Sequence, residues 1–139
     1  MTGLIDQLKR HEGVRSHAYR DNAGYLTIGA GRNIDCDGGL GLSADEIDYL
    51  LHNDVDRCFS ELEPFDWFSE LDDVRQDALI NMCFNLGLTR LLHFNKMIDA
   101  LQNKDFELAA AEALDSRWAR QVGDRAVEVA SMIELGVYP

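Results

Sequence analysis

Strand-forming residues, and the glycines that would turn them, are confined to one short stretch of this chain; nearly everything after it repeats at helical spacing. Between Ala18 and Ile34, Tyr19, Tyr25, Thr27 and Ile28 are interrupted by Asp21-Asn22 and by Gly24, Gly29 and Gly31. That is the pattern of a small hairpin-rich sheet. Ahead of it, Leu4, Ile5 and Leu8 share one face of a short amphipathic helix that ends near Gly13. Behind it, Asp35 to Leu42 carries three glycines and reads as a loop. One helix, a sheet, then helices only predicts an α+β chain with its strands segregated near the N-terminus.

The helices announce themselves by their caps. Ser43-Ala44-Asp45-Glu46 is a capping box, and Ile47, Leu50, Leu51, Val55, Cys58, Phe59 and Leu62 follow at helical spacing before Pro64. A long helix from Ser43 to about Leu62 is expected, with Asp45, Asp48, Asp56 and Glu63 facing outward. Ser69 to Leu86 predicts another, with Leu71, Val74, Ala78, Leu79, Met82, Cys83 and Leu86 on one side and Ile80 and Phe84 on the other. Apolar nearly all round in its second half, it should be a buried centre stopped by Gly87. Shorter helices are expected around Thr89–Leu92, Asn95–Gln102, Asp105–Leu114 and Asp124–Leu135. A chain of 139 residues, 46% of them apolar, can bury about two thirds of its unfolded surface and needs no staples.

Several function classes fall away. No apolar run approaches the roughly 18 residues of a membrane span, and residues 1–12 show no secretory leader, so no membrane anchor is expected. Cys36, Cys58 and Cys83, an odd number at wide spacing with no CxxC, give neither a disulfide framework nor a zinc cage and read as buried free thiols of a reducing cytoplasm. His11, His17, His52 and His93 have no metal-ligand spacing, and neither metal nor cofactor is expected. The net charge is −12. Residues 1–34 hold three acids and five bases, residues 35–73 hold thirteen acids and only Arg57, and residues 74–139 hold nine acids and seven bases. Without a basic stripe the chain is not a nucleic-acid binder, and the acidic segment reads as a solvated helix face.

Chemistry is concentrated in Glu12-Gly13, Tyr19-Arg20-Asp21 and Gly24-Tyr25-Leu26-Thr27-Ile28-Gly29-Ala30-Gly31. Glu12 closes a helix, whose carbonyl end favours a protonated carboxyl, whereas Asp21 sits in a polar turn that keeps it solvated and ionised. Two carboxyls in contrasting surroundings are the acid and base of glycoside hydrolysis, and Thr27 can hold a water against Asp21. A Glu and an Asp nine residues apart are, taken alone, better explained as solvated surface carboxylates.

The run from Glu12 to Gly31 closely resembles the active-site signature of the phage-type lysozymes, the family of the T-even bacteriophage endolysin. Asn53-Asp54-Val55-Asp56, Asp73-Val74-Arg75 with Ala78-Leu79-Ile80-Asn81-Met82, and Ser116-Arg117-Trp118 before Gly123-Asp124-Arg125-Ala126 resemble that family in the same order, over essentially the whole chain. The resemblance implies one lysozyme-like domain over residues 1–139. Within it, a small sheet-bearing lobe (about 13–42) and a larger helical lobe (65–139 with 1–12) are joined by the long helix 43–62, the site lying in the cleft between them. It implies hydrolysis of the bond between N-acetylmuramic acid and N-acetylglucosamine in bacterial peptidoglycan, without cofactor. Glu12 is then the general acid, Asp21 the second carboxylate and Thr27 the residue that positions water. Inversion is implied, with carboxyls about 6.5–9.5 Å apart. It further implies a phage endolysin, a monomer that accumulates in the host cytoplasm and is released to the wall through a holin-type pore. A lytic transglycosylase and a non-catalytic peptidoglycan-binding protein are the alternatives.

Two departures from the family stand out. Its endolysin prototype has a histidine where this chain has Arg32, so Arg32 is expected to form a structural ion pair with Asp54 or else to touch substrate; the loop from Arg32 to Ser43 is also shorter. The prototype is basic, whereas this chain is acidic. Gly29, like Gly24 and Gly31, permits close approach of a sugar. Asn81 reads as a buried amide, while Asn85 can face the cleft and bind a sugar or peptide amide. Arg117 either packs along Trp118 or contacts the peptide stem. Arg125 can reach toward Glu12 and steady it.

Overall fold

A computed structural model describes residues 2–139. The chain divides into two compact units, one up to Leu50 and one from Leu51 to Pro139. The first begins with helix α1 (Thr2–Glu12), which ends where Gly13 turns to φ +75° and its amide donates to the Lys9 carbonyl at 2.9 Å. The amphipathic pattern does form a helix, but none of its residues is buried. Strands β1 (Arg15–Arg20), β2 (Leu26–Gly29) and β3 (Arg32–Asn33) follow as an antiparallel sheet in chain order, with Tyr19 opposite Thr27 and Ile28 opposite Arg32. Among the described residues of this unit Thr27 alone is buried, so Cys36, expected as a buried thiol, is instead exposed in the loop after β3, whereas Cys58 and Cys83 are buried.

Helix α2 (Ala44–Leu62) opens with the reciprocal cap that the sequence indicates: the Glu46 amide donates to Ser43 Oγ at 3.2 Å and the Ser43 amide to Glu46 Oε1 at 2.9 Å. Of its apolar stripe only Cys58 and Leu62 are buried; Ile47, Leu50, Leu51, Val55 and Phe59 are exposed. The stripe is covered only in the last turns of α2, where the Phe59 ring meets the edge of Phe68, 5.9 Å away between centroids.

The second unit is helical: α3 (Asp66–Ser69), α4 (Asp73–Leu86), α5 (Leu88–Leu91), α6 (Asn95–Gln102), α7 (Phe106–Leu114), α8 (Arg117–Val122) and α9 (Asp124–Leu135). α7 packs on α6 and α9, and α4 packs on α9. Phe68, Leu79, Met82, Leu91, Met97, Val129 and Ile133 are fully enclosed between them. Each such side chain contributes roughly 1.5–3 kcal/mol relative to exposure. The single helix expected over Ser69–Leu86 is divided, because Asp72 turns extended and its carboxylate accepts the Arg75 amide, starting α4 afresh at Asp73. α4 is not enclosed all round either: Ala78, Leu79, Met82 and Cys83 are buried, but Asn81 and Phe84 face solvent. α8 has no counterpart in the sequence reading; Ser116 caps it, accepting from the Ala119 amide at 3.1 Å.

Candidate active site

The two carboxylates and the threonine singled out from the sequence all belong to the first unit: Glu12 at the end of α1, Asp21 just after β1 and Thr27 on β2. Glu12 is exposed at the end of α1, and its carboxylate lies against Gly31 in the turn between β2 and β3. A Cβ at Gly31 would stand 2.8 Å from Glu12 Oε2, and Gly31 has φ +79°. This turn therefore offers the carboxylate a seat that only glycine leaves open.

Asp21 follows β1 directly and folds its side chain back over the next turn. Its Oδ1 accepts the amides of Ala23 and Tyr25, both at 2.9 Å, so the carboxylate is oriented by backbone donors. Oδ2 takes no hydrogen bond among the described residues. The Tyr25 carbonyl then accepts twice, from the Asp21 amide and from Thr27 Oγ1, each at 2.9 Å. One carbonyl thus joins Asp21 to Thr27. Because the Thr27 hydroxyl proton is committed there, what the oxygen has left to offer is acceptor capacity.

Arg32 does not take the partner proposed for it. Its Nη1 donates to Glu46 Oε1 at 2.8 Å and to the Gly41 carbonyl at 3.0 Å, while Asp54 accepts from Arg57 on the next turn of α2 at 2.8 Å. The carboxylate of the capping box is nearer in sequence to the strand and already fixed by Ser43, so it costs less to recruit. The guanidinium and the Ser43 amide together hold the Glu46 carboxyl down to about 2.

In the second unit, Asn85 Oδ1 accepts the Trp118 indole N–H at 2.8 Å, which spends the carbonyl and leaves the NH2 as donor. Phe94 meets the Trp118 ring edge-on at 6.3 Å. Beside them a cavity of about 410 Å³ is lined by Phe94, Lys96, Glu112, Arg117 and Trp118, among others. Arg125 Nε donates to Asn81 Oδ1 at 2.9 Å. Asn81 is accordingly exposed, not the buried amide suggested by its place on the central helix.

A family model described as phage lysozyme matches residues 9–132. The chain belongs to the phage lysozyme family. It is 28% identical to "Probable T4-type lysozyme 1" of Dictyostelium discoideum over 98% of this chain and 96% of that protein. It is 32% identical to the endolysin of Salmonella phage P22, over 76% of this chain and 75% of that protein. The pre-baseplate central spike protein Gp5 of Enterobacteria phage T4 is 28% identical over 96% of this chain, which matches 28% of that protein. This phage lysozyme is a glycoside hydrolase with a peptidoglycan-hydrolysing function. Among the described residues no helix is long and apolar enough to cross a membrane.

One residue of this lysozyme's site region escaped the sequence reading. Asp35 was absorbed into a glycine-rich loop, yet its carboxylate accepts the amides of Leu26 (2.9 Å) and Asp37 (3.0 Å), which hold its pKa below the usual carboxylate range. The available signal was local: an Asx residue two positions after Asn33, in a segment where both can bond nearby amides.

Proposed function

We propose that this phage lysozyme hydrolyses the bond between N-acetylmuramic acid and N-acetylglucosamine, with Glu12 as general acid and Asp21 and Thr27 activating water. The observation that carries the reading is the shared Tyr25 carbonyl, which ties the second carboxylate to the threonine, while the adjoining β2–β3 turn seats Glu12. Glu12 gives its proton to the glycosidic oxygen as that bond breaks. A water donates one hydrogen to Asp21 Oδ2 and the other to Thr27 Oγ1, leaving its lone pair to attack the anomeric carbon from the opposite face. The attacking water's proton passes to Asp21, and the released sugar carries an inverted reducing end. A carboxyl separation of about 6.5–9.5 Å belongs to this reading, since water must fit between acid and base.

Gly29, Asn85 and Arg117 are assigned to substrate. Gly29 permits close sugar approach, the free NH2 of Asn85 suits a carbonyl of sugar or peptide, and Arg117 borders the cavity beside Trp118. Arg32, Asp54 and Arg125 are assigned as structural supports through the partners they have, Glu46, Arg57 and Asn81. Residues 1–139 act as one lysozyme domain, as a monomer, held in the host cytoplasm until a holin-type pore admits it to the wall and lysis follows.

The test is mass spectrometry of the sugar ends released from purified peptidoglycan, with Glu12→Gln and Asp21→Asn beside wild type. Reducing ends that fall about 10²–10⁴-fold in both variants are expected. Anhydro ends would make the protein a lytic transglycosylase, and no release by wild type would leave a binding protein.

A further inference from the structure

β3 ends one residue too early for the sheet. In the β2–β3 ladder Leu26 faces the chain just beyond Asn33: its carbonyl accepts the Ile34 amide at 2.9 Å, but its own amide meets no backbone carbonyl there. The Asp35 side chain supplies the missing acceptor, Oδ2 taking the Leu26 amide at 2.9 Å, and is itself 15% exposed. A carboxylate thus stands in for a strand. On the other side of the same strand Leu26 lies opposite Arg20, and Arg20 Nη1 donates to the Gly24 carbonyl at 2.9 Å while standing 3.9 Å from Asp35 Oδ2.

These bonds converge on the turn that carries Asp21. Gly24 and Tyr25 form the far side of that turn, its amides at Ala23 and Tyr25 are the two donors that orient the Asp21 carboxylate, and Thr27 follows Leu26 directly. The loop behind Asp35 is closed as well. The Asp35 amide donates to Asn33 Oδ1 at 2.9 Å, the Gly39 amide donates to the Asp35 carbonyl at 2.9 Å, and a Cβ at Gly39 would collide with that carbonyl. Asp35 is therefore held from behind while it holds Leu26 in front.

We infer that Asp35, assisted by Arg20, is a positioning residue for hydrolysis: it sets the height of Leu26 in the sheet and through it the placement of Asp21 and Thr27. The inference rests on the roles proposed above for those two residues. Asp35 touches no substrate in this scheme. Its effect belongs in turnover, because misplacing the attacking water by a fraction of its bond length weakens the transition state while sugars remote from it still bind.

The test compares kcat and KM on purified peptidoglycan for wild type, Asp35→Ala, Asp35→Asn, Arg20→Met and the Asp35→Ala/Arg20→Met double variant, well below each melting midpoint. Asp35→Ala is expected to lower kcat about tenfold or more, with KM within about twofold. Asp35→Asn keeps an oxygen for the Leu26 amide and should recover most of that loss. Arg20→Met should cost a few-fold alone and add little in the double variant, since both act on one turn. Wild-type kcat in folded Asp35→Ala, or a loss that follows only the unfolded fraction, overturns the inference. If Asp35→Ala does not fold, Asp35→Asn and Arg20→Met decide it: kcat unchanged in both overturns it, and a fall in kcat at constant KM supports it. Glu12→Gln and Asp21→Asn run alongside. Full activity in those two would sink the reading of the site itself, whatever Asp35 does.

Discussion

At the scale of single residues, the site depends on what is absent at position 31 as much as on what is present at position 12. Gly31→Ala would push a methyl to 2.8 Å from Glu12 Oε2 and place a side chain at φ +79°. The backbone cost is about 1 kcal/mol, whereas Glu12, free to swing, must leave its seat. Activity on peptidoglycan is therefore expected to fall at least about tenfold while the melting midpoint moves by only a few degrees; equal activity would mean that the seat is immaterial. The sequence singled out Glu12, Asp21, Thr27 and Gly31 by residue type and spacing; the bonds at Asp21 and Thr27 run over only a few residues, whereas the approach of Glu12 to Gly31 depends on how the chain folds back after β2. Partners were harder. Arg32 was matched to Asp54 by its place in a family pattern, but the bond it makes depends on how the 33–41 loop returns to α2, which periodicity does not describe. Asp35 was missed for the same reason: it acts as one rung of a strand, and its chemical type says nothing of that.

Elements are held by their ends, and the ends are where sequence reading succeeded and failed. Ser43-x-x-Glu46 announced α2 because both halves of the box lie within four residues. α8 was missed because six residues are too few to show a period, and the division of Ser69–Leu86 turned on whether Asp72 caps or continues. Arg75 shows a tie between elements that no local pattern reveals. From the first turn of α4 its Nε donates to the Ile133 carbonyl at 2.6 Å and Nη2 to that of Glu134 at 2.8 Å, closing the end of α9, while Nη1 holds Asp72 and the guanidinium stacks 3.7 Å from the Phe106 ring centre. A lysine cannot serve three acceptors in that fork. Arg75→Lys is expected to cost about 2 kcal/mol by urea unfolding, and a change under about 0.5 kcal/mol would show the fork to be incidental. Glu46 gives α2 an acid-sensitive start. Its folded value, about 2, lies below the ordinary glutamate value of 4.5 because Arg32 and the Ser43 amide favour the ionised form. The stabilisation is complete above the unfolded value and disappears as pH falls from there toward about 2. Glu46→Gln keeps the cap oxygen but not the charge, so it should melt below wild type near pH 6, and the gap should close as the pH approaches about 2. A gap that stays constant would exclude the ion pair as its source.

Over the whole molecule, the charge opposes the substrate that the site is built for. The unit up to Leu50 holds eight acids and five bases, and the unit from Leu51 holds seventeen acids and eight bases. Yet residues 1–34, which include Glu12, Asp21 and Thr27, carry five bases against three acids. An anionic wall approaching this lysozyme is expected to be repelled at long range and attracted near residues 1–34, and the two effects decay differently with salt. At about 10 mM ionic strength the screening length is about 30 Å and the excess negative charge dominates; at about 0.15 M it is about 8 Å, and only nearby bases are felt. On intact walls kcat/KM is therefore expected to rise between those conditions and to fall again toward about 1 M, where a screening length of about 3 Å masks the local bases too. Short soluble peptidoglycan fragments, which carry the same bond but little charge, should show both limbs much reduced when release of reducing ends is followed. A monotonic decrease on walls from the lowest salt would mean that the bases of residues 1–34 govern encounter at every distance, and that the acidic bulk of the chain has no part in it.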